Sequence, residues 1–147
     1  MAPTWLRGGD GRDTVDYDGE TADMRIENAF FVSRSTGGQA EGDRFDAVEV
    51  LMAGAGDDTI IGFSEMFGRA GNDEIIATGR GPNPLNGGDG DAPLRGSFGR
   101  DVLAGGAGRD LLLGGDGDDA ADFSDVTVDL DIALAGDTQI ISAATQD

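Results

Sequence analysis

The chain has no cysteine and no histidine, and the two absences close off much chemistry. Without cysteine there is no disulfide framework and no thiolate metal site, and thiol usage says nothing about compartment. Without histidine there is no imidazole zinc site, no usual general base, and no Ser-His or Cys-His nucleophile pair. Basic residues are scarce: 10 Lys and Arg stand against 29 Asp and Glu, a formal charge of −19 across 147 residues. Nucleic acid and anionic membrane surfaces need clustered Lys and Arg at the contact, so neither is expected as a partner. No run approaches the ~20 apolar residues of a membrane span. Residues 1–11 lack an apolar stretch between a basic start and a small-residue cleavage site, so no signal peptide is expected here. A charge this large pushes a compact fold apart unless something offsets it, and a divalent cation is the obvious candidate.

What the chain has in excess is glycine, 26 of 147 residues against an ordinary ~7%. Its placement is periodic. Four nonapeptides follow one another without slippage, Gly87–Arg95, Gly96–Ala104, Gly105–Leu113 and Gly114–Asp122. Further units lie at Gly8–Asp16, Ala53–Ile61 and Gly68–Ile76, where the irregular spacing implies an interrupted or degenerate stack. A longer period is visible as well: Gly8–Asp13 recurs as Gly114–Asp119, and Val15–Asp18 as Ala121–Ser124. The chain thus reads as one large repeat plus the start of the next.

Elsewhere the pattern changes. Between Glu20 and Met52 short alternating runs, Met24–Ile26 and Val48–Val50, predict ordinary strands joined by a loop near Gly37 and Gly38. After Ser124, Val126, Val128, Leu130, Ile132 and Leu134 alternate with Thr127, Asp129 and Asp131, the pattern of a half-buried strand. No segment carries a 3.6-residue amphipathic pattern, so little helix is expected. The expected divisions are 1–19, the start of the repeat array; 20–52, an irregular strand and loop insertion; 53–124, the roll; and 125–147, a capping strand and tail. Residues 140–147 are too ordinary in composition to be read as a secretion signal or otherwise.

The repeat unit is G-G-x-G-x-D-x-U-x, with U a large apolar residue: six residues that turn and three that extend, the pattern of a calcium-binding β-helix repeat. Glycine is needed where a turn takes positive φ or where backbone closely approaches an ion. Calcium takes 6–8 oxygens at ~2.3–2.6 Å, which turn carbonyls and Asp carboxylates together can supply. The candidate carboxylate ligands are Asp13, Asp58, Asp73, Asp101, Asp110, Asp116 and Asp119. Candidate main-chain contributors are Gly88 and Gly90, then Gly105, Gly106, Ala107 and Gly108, and finally Gly114, Gly115 and Gly117. The U residues Val15, Ile60, Ile75, Leu94, Leu103 and Leu112, with Ala121 a weak member, should point into the column. Three-residue strands are stable only when stacked at ~4.8 Å. With two nonapeptides per turn of the coil, Asp101 faces Asp119, and the 87 turn faces the 105 turn and Asp110.

At these residues, above all Gly105–Leu113 and Gly114–Asp119, the chain resembles the RTX family of secreted bacterial proteins. The likeness covers the strict run from 87 to 122 and three scattered units. It implies an all-β right-handed parallel β-roll with short capping strands, folding that depends on several Ca²⁺ ions, type I secretion and an extracellular setting. Departures are visible: Ala92 occupies a ligand Asp position with Pro93 after it, which weakens that site. Ser97 and Phe98 replace Gly-x, and Arg12, Arg100 and Arg109 sit where the family has Asn or Asp.

The competing readings are weaker. A disordered acidic linker has the right charge, but linkers do not place Leu at every ninth residue. A paired-carboxylate glycosidase is conceivable, yet nothing selects two of so many acids, so no catalytic role is expected. Met24–Val32 and Val126–Leu134 fit capping of the open roll ends better than contact with a polysaccharide or cell-surface ligand, which remains the alternative, as an adhesion or carbohydrate-binding module. Trp5, Tyr17 and Phe123 read as packing. A second alternative is an accessory module of a polysaccharide-modifying enzyme, since a chain that begins just before a repeat reads as part of a larger polypeptide.

Overall fold

The structure, a computed structural model, describes residues 4–29 and 32–125. Two sheets of short parallel strands face each other across one apolar column. The first stacks Thr14–Asp16, Val50–Met52, Glu65–Ala70, Pro84–Asp89, Val102–Ala107 and Ala120–Asp122 in that order. The second stacks Arg25–Ala29, Thr59–Ile61, Glu74–Ile76, Pro93–Arg95 and Leu111–Leu113. The chain visits the sheets alternately, so each circuit adds one strand to each, and the fold is the expected all-β parallel solenoid. A single 3-10 turn, Gly38–Ala40, is the one helical element among the described residues.

Register follows from the U residues. Val15, Leu51, Met66, Leu85, Leu103 and Ala121 lie over one another in the first sheet. Ile26, Ile60, Ile75, Leu94 and Leu112 do so in the second. Ile26, Leu51, Ile60, Met66, Ile75, Leu85 and Leu94 are fully buried, and each such side chain stabilises by roughly 1.5–3 kcal/mol relative to exposure. Val15 and Leu112 are partly buried against the same column. Leu111 and Leu113 flank the inward Leu112 and so point out from the sheet, at 50% and 40% exposure.

The irregular upstream spacing has a simple cause. From Asn83 onward, stacked positions are 18 residues apart, two nonapeptides. Between Asp58 and Asp73 the step is 15, because Gly62–Ser64 makes a short turn where the regular coils spend six residues, 96–101 and 114–119. Between Asn72 and Asp91 it is 19, so one residue is absorbed before Pro84. The stack itself is unbroken.

The largest departure from the coil path follows Arg25–Ala29. Val32–Thr36 pairs antiparallel with it and closes that side of the second sheet. Arg44–Asp46 then pairs parallel with Trp5–Arg7. Phe45 meets Phe63 edge-on at 5.2 Å, and the Tyr17 hydroxyl donates to Asp43 Oδ2 at 2.9 Å inside this cap. Val126–Leu134, read as a strand, lies outside the described residues.

Candidate metal centre: two edges of stacked turns

The turns fall on two edges of the roll. The first edge, leading from the first sheet to the second, carries the turns that end at Met24, Asp58, Asp73, Ala92 and Asp110. The second edge carries those ending at Asp13, Asn83, Asp101 and Asp119. Strand pairing thus brings Asp101 onto Asp119 and the 87 turn onto the 105 turn, the neighbours expected from two repeats per coil.

The sixth-position carboxylates form a ladder along each edge. On the first, the Met24 N–H donates to Asp58 Oδ1 at 2.7 Å and the Asp58 N–H to Asp73 Oδ1 at 2.8 Å. Further along, the Ala92 N–H donates to Asp110 Oδ1 at 3.0 Å. On the second edge Asp101 Oδ1 accepts from the Asn83 N–H at 3.0 Å, and Asp119 Oδ1 from the Asp101 N–H at 2.9 Å. Each aspartate therefore anchors the backbone of the coil before it with one oxygen. Asp101 Oδ2 also takes the Ser97 N–H of its own turn at 2.7 Å.

The second oxygen faces the glycines. A Cβ placed on Gly68 would lie 2.2 Å from Asp73 Oδ2 and 2.5 Å from the Gly87 carbonyl oxygen of the next coil. On Gly96 it would lie 2.6 Å from Asp101 Oδ2 and 2.0 Å from the Gly114 oxygen. At Gly87 the same construction meets the Ala92 Cβ in place of a carboxylate, together with the Gly105 oxygen. A carboxylate of one coil and a carbonyl of the next thus converge beside Gly68 and Gly96; at Gly87 Ala92 has removed the carboxylate, and at Gly105 and Gly114 the nearest atoms belong to Asp110 and Asp119 alone. Gly106 has φ +95, and a Cβ there would be 2.0 Å from the Gly88 oxygen, so no other residue fits without moving the stack.

Cation-binding chemistry is supported by what these oxygens lack. Asp13 Oδ2 and Asp73 Oδ2 are buried with no hydrogen-bond partner, and a buried charged oxygen left unpaired is costly. Burial pushes the Asp73 carboxyl up to about 7, against the hydrogen bond from the Asp58 backbone that lowers it. Burial likewise raises Asp58, against hydrogen bonds from the Met24 and Gly54 backbone. Both carboxylates are short of positive charge. Among the described residues no group of three or more acidic side chains forms a metal site by itself, so a cation would draw on main-chain oxygens too, as a hard ion such as calcium does.

Several participants had not been singled out from the sequence. Asn83 stands where the sixth-position aspartate belongs and donates to Asp101 Oδ1 through its side chain at 2.7 Å; counting back nine from Gly87 would have found its degenerate unit. Glu49 Oε2 accepts the Asp13 N–H at 2.9 Å. An outer ladder also runs along the first edge: Asp57 N–H to Asp23, Asn72 N–H to Asp57, Asp91 N–H to Asn72 and Arg109 N–H to Asp91, at 2.7–3.0 Å. Arg109, where the family has Asn or Asp, ends that row through its backbone.

Fold and edges together define a parallel β-solenoid whose turns stack carboxylates on carbonyl oxygens, the class of calcium-binding rolls. The RTX calcium-binding nonapeptide repeat matches the chain in four copies, over residues 5–20, 45–64 and 86–121, and the chain belongs to that repeat family. No curated protein and no solved structure matches it significantly. The coil from Met66 to Ile76 falls outside the matched stretches, yet it stacks in register with both neighbours.

Proposed function

We propose that the chain is a non-catalytic calcium-binding module of a secreted protein, and that ion binding drives folding of the roll to completion. Asp58, Asp73 and Asp110 on the first edge, and Asp13, Asp101 and Asp119 on the second, supply the carboxylates. Main-chain oxygens come from Gly88 and Gly90, from the 105–108 turn (Gly105, Gly106, Ala107, Gly108), and from Gly114, Gly115 and Gly117, with Asp116 beside them. About two to four ions in the strict run follow from one ion per pair of facing turns. The observation that carries this reading is the buried Asp73 Oδ2, which has no partner of its own and faces a carbonyl of the next coil.

Each ion offsets part of the −19 charge and joins two coils whose acidic edges otherwise repel. An extended acidic chain passing a type I secretion channel at low calcium would then fold outside, where affinities of ~10⁻⁴–10⁻³ M suffice. The test is calorimetric titration with calcium and with magnesium, alongside far-ultraviolet circular dichroism. Calcium should add β-sheet signal to the spectrum recorded in chelator, with a sub-millimolar to millimolar midpoint, and magnesium should not. An identical folded spectrum in chelator and in calcium would end this reading.

A further inference from the structure

One cation is already part of the chain. Arg69 stands at the second position of its repeat, where Gly88, Gly106 and Gly115 stand in other turns with φ of 96, 95 and 102°. It adopts φ +77, a left-handed conformation that costs an arginine energy and a glycine nearly none. Its side chain accounts for the exception. The guanidinium grips Asp16 with two hydrogen bonds, Nη1 to Oδ1 at 2.6 Å and Nη2 to Oδ2 at 2.9 Å. Nη1 also donates to the Ala53 carbonyl oxygen at 2.8 Å, and Nη2 lies 3.6 Å from Met52 Sδ. Arg69 thereby ties its own coil to the two before it, through a carboxylate and a main-chain carbonyl, the two donor types that the glycine turns present further along.

We infer that the Arg69 guanidinium ties the N-terminal coils together independently of any metal ion, so that residues 14–76 stay folded without calcium, whether or not their own carboxylates bind it, and serve as the template on which 84–122 assemble when it is added. The inference rests on the calcium reading above and adds a division within it. Packing supports the division at the two ends of the column. Ile26, Leu51, Ile60, Met66 and Ile75 are fully buried, as Leu85 and Leu94 are beyond them, but among the described residues only the N-terminal end is closed, by Val32–Thr36 at the edge of its second sheet. At the other end the column narrows to the partly buried Leu112 and to Ala121. A planar, permanently charged fork suits this joint because it needs no dissolved ligand and satisfies both Asp16 oxygens at once.

The test is amide hydrogen exchange on the full chain, in calcium and in chelator, for the natural sequence, Arg69→Gly and Asp16→Asn. In chelator the natural chain should keep its protection across 14–76 and lose it, by about 100-fold or more, across 84–122. Arg69→Gly should speed exchange across 14–76 by about tenfold or more in chelator, with Asp16→Asn acting in the same direction and circular dichroism in calcium showing both variants folded. Because glycine relieves the left-handed strain, the loss would be traceable to the guanidinium. Unchanged protection in Arg69→Gly, or equal loss across both halves of the natural chain, overturns the inference while leaving calcium-coupled folding intact. Protection of both halves in chelator overturns the calcium reading and the division together.

Discussion

The coils up to Ile76 and those from Pro84 onward share one strand path but are held in different ways. In the N-terminal coils the turns are uneven, shortened at Gly62–Ser64, and the column is filled by Ile, Leu and Met with Phe45 on Phe63 at its side. In the C-terminal coils the turns are regular and glycine-stacked; Leu85, Leu94 and Leu103 still fill the column, which thins at its end, toward Leu112 and Ala121. Where side chains fill the interior, turn geometry is free to vary. Where they do not, stacking has to come from the turns, and the turns then need glycine and a counter-charge.

The sharpest way to break this contrast is to delete one column residue in each half. Ile75→Ala removes a fully buried side chain stacked between Ile60 and Leu94 and should cost about 2–5 kcal/mol. Urea unfolding should show the loss with and without calcium. Leu112→Ala touches a partly exposed member of the column and should cost about 1–2 kcal/mol, visible only when calcium is present. Equal costs would mean the two halves share one kind of core. The complementary test is Gly106→Ala, whose new methyl would meet the Gly88 oxygen at 2.0 Å on a backbone with φ +95. A cost of about 2 kcal/mol or more is expected, appearing as a higher calcium midpoint for folding. An unchanged midpoint would show that stacked glycines do not limit assembly.

The sequence was most legible where the second mode dominates. The strict run fixes both register and the inward leucines, because glycine at fixed offsets can be seen locally. Leu51 and Met66 were not legible, since the turns before them have lost the glycine frame, and only stacking on Val15 and Leu85 assigns them to the column. Ile26 lies in a stretch without the glycine frame, and only its pairing against Thr59–Ile61 assigns its strand to the second sheet. Arg69 reads as a blemish in a repeat until its partner is known, and that partner lies 53 residues away. Asn83 and Glu49 were hidden for a similar reason: they are defined by the carboxylate or amide one coil away, not by their neighbours in the chain.

The smallest effect sharpens the N-terminal side of the comparison. Tyr17, the only tyrosine in the chain, is buried and donates to Asp43 Oδ2 at 2.9 Å. Burial, with the adjoining Asp43 carboxylate, raises its phenol far above the ordinary value. An acid whose folded pKa is raised loses its proton first in the unfolded chain, so its contribution is intact below about pH 10 and declines as pH rises beyond it. Tyr17→Phe should cost about 1 kcal/mol by removing one buried hydrogen bond, and should do so equally in calcium and in chelator. In the natural chain the tyrosinate absorbance band should appear only as the N-terminal coils unfold in alkali, at the same pH with or without calcium. A band that titrates near pH 10 while circular dichroism still reports those coils folded would place Tyr17 in contact with water, and the cap would then be too loose to act as a metal-independent template.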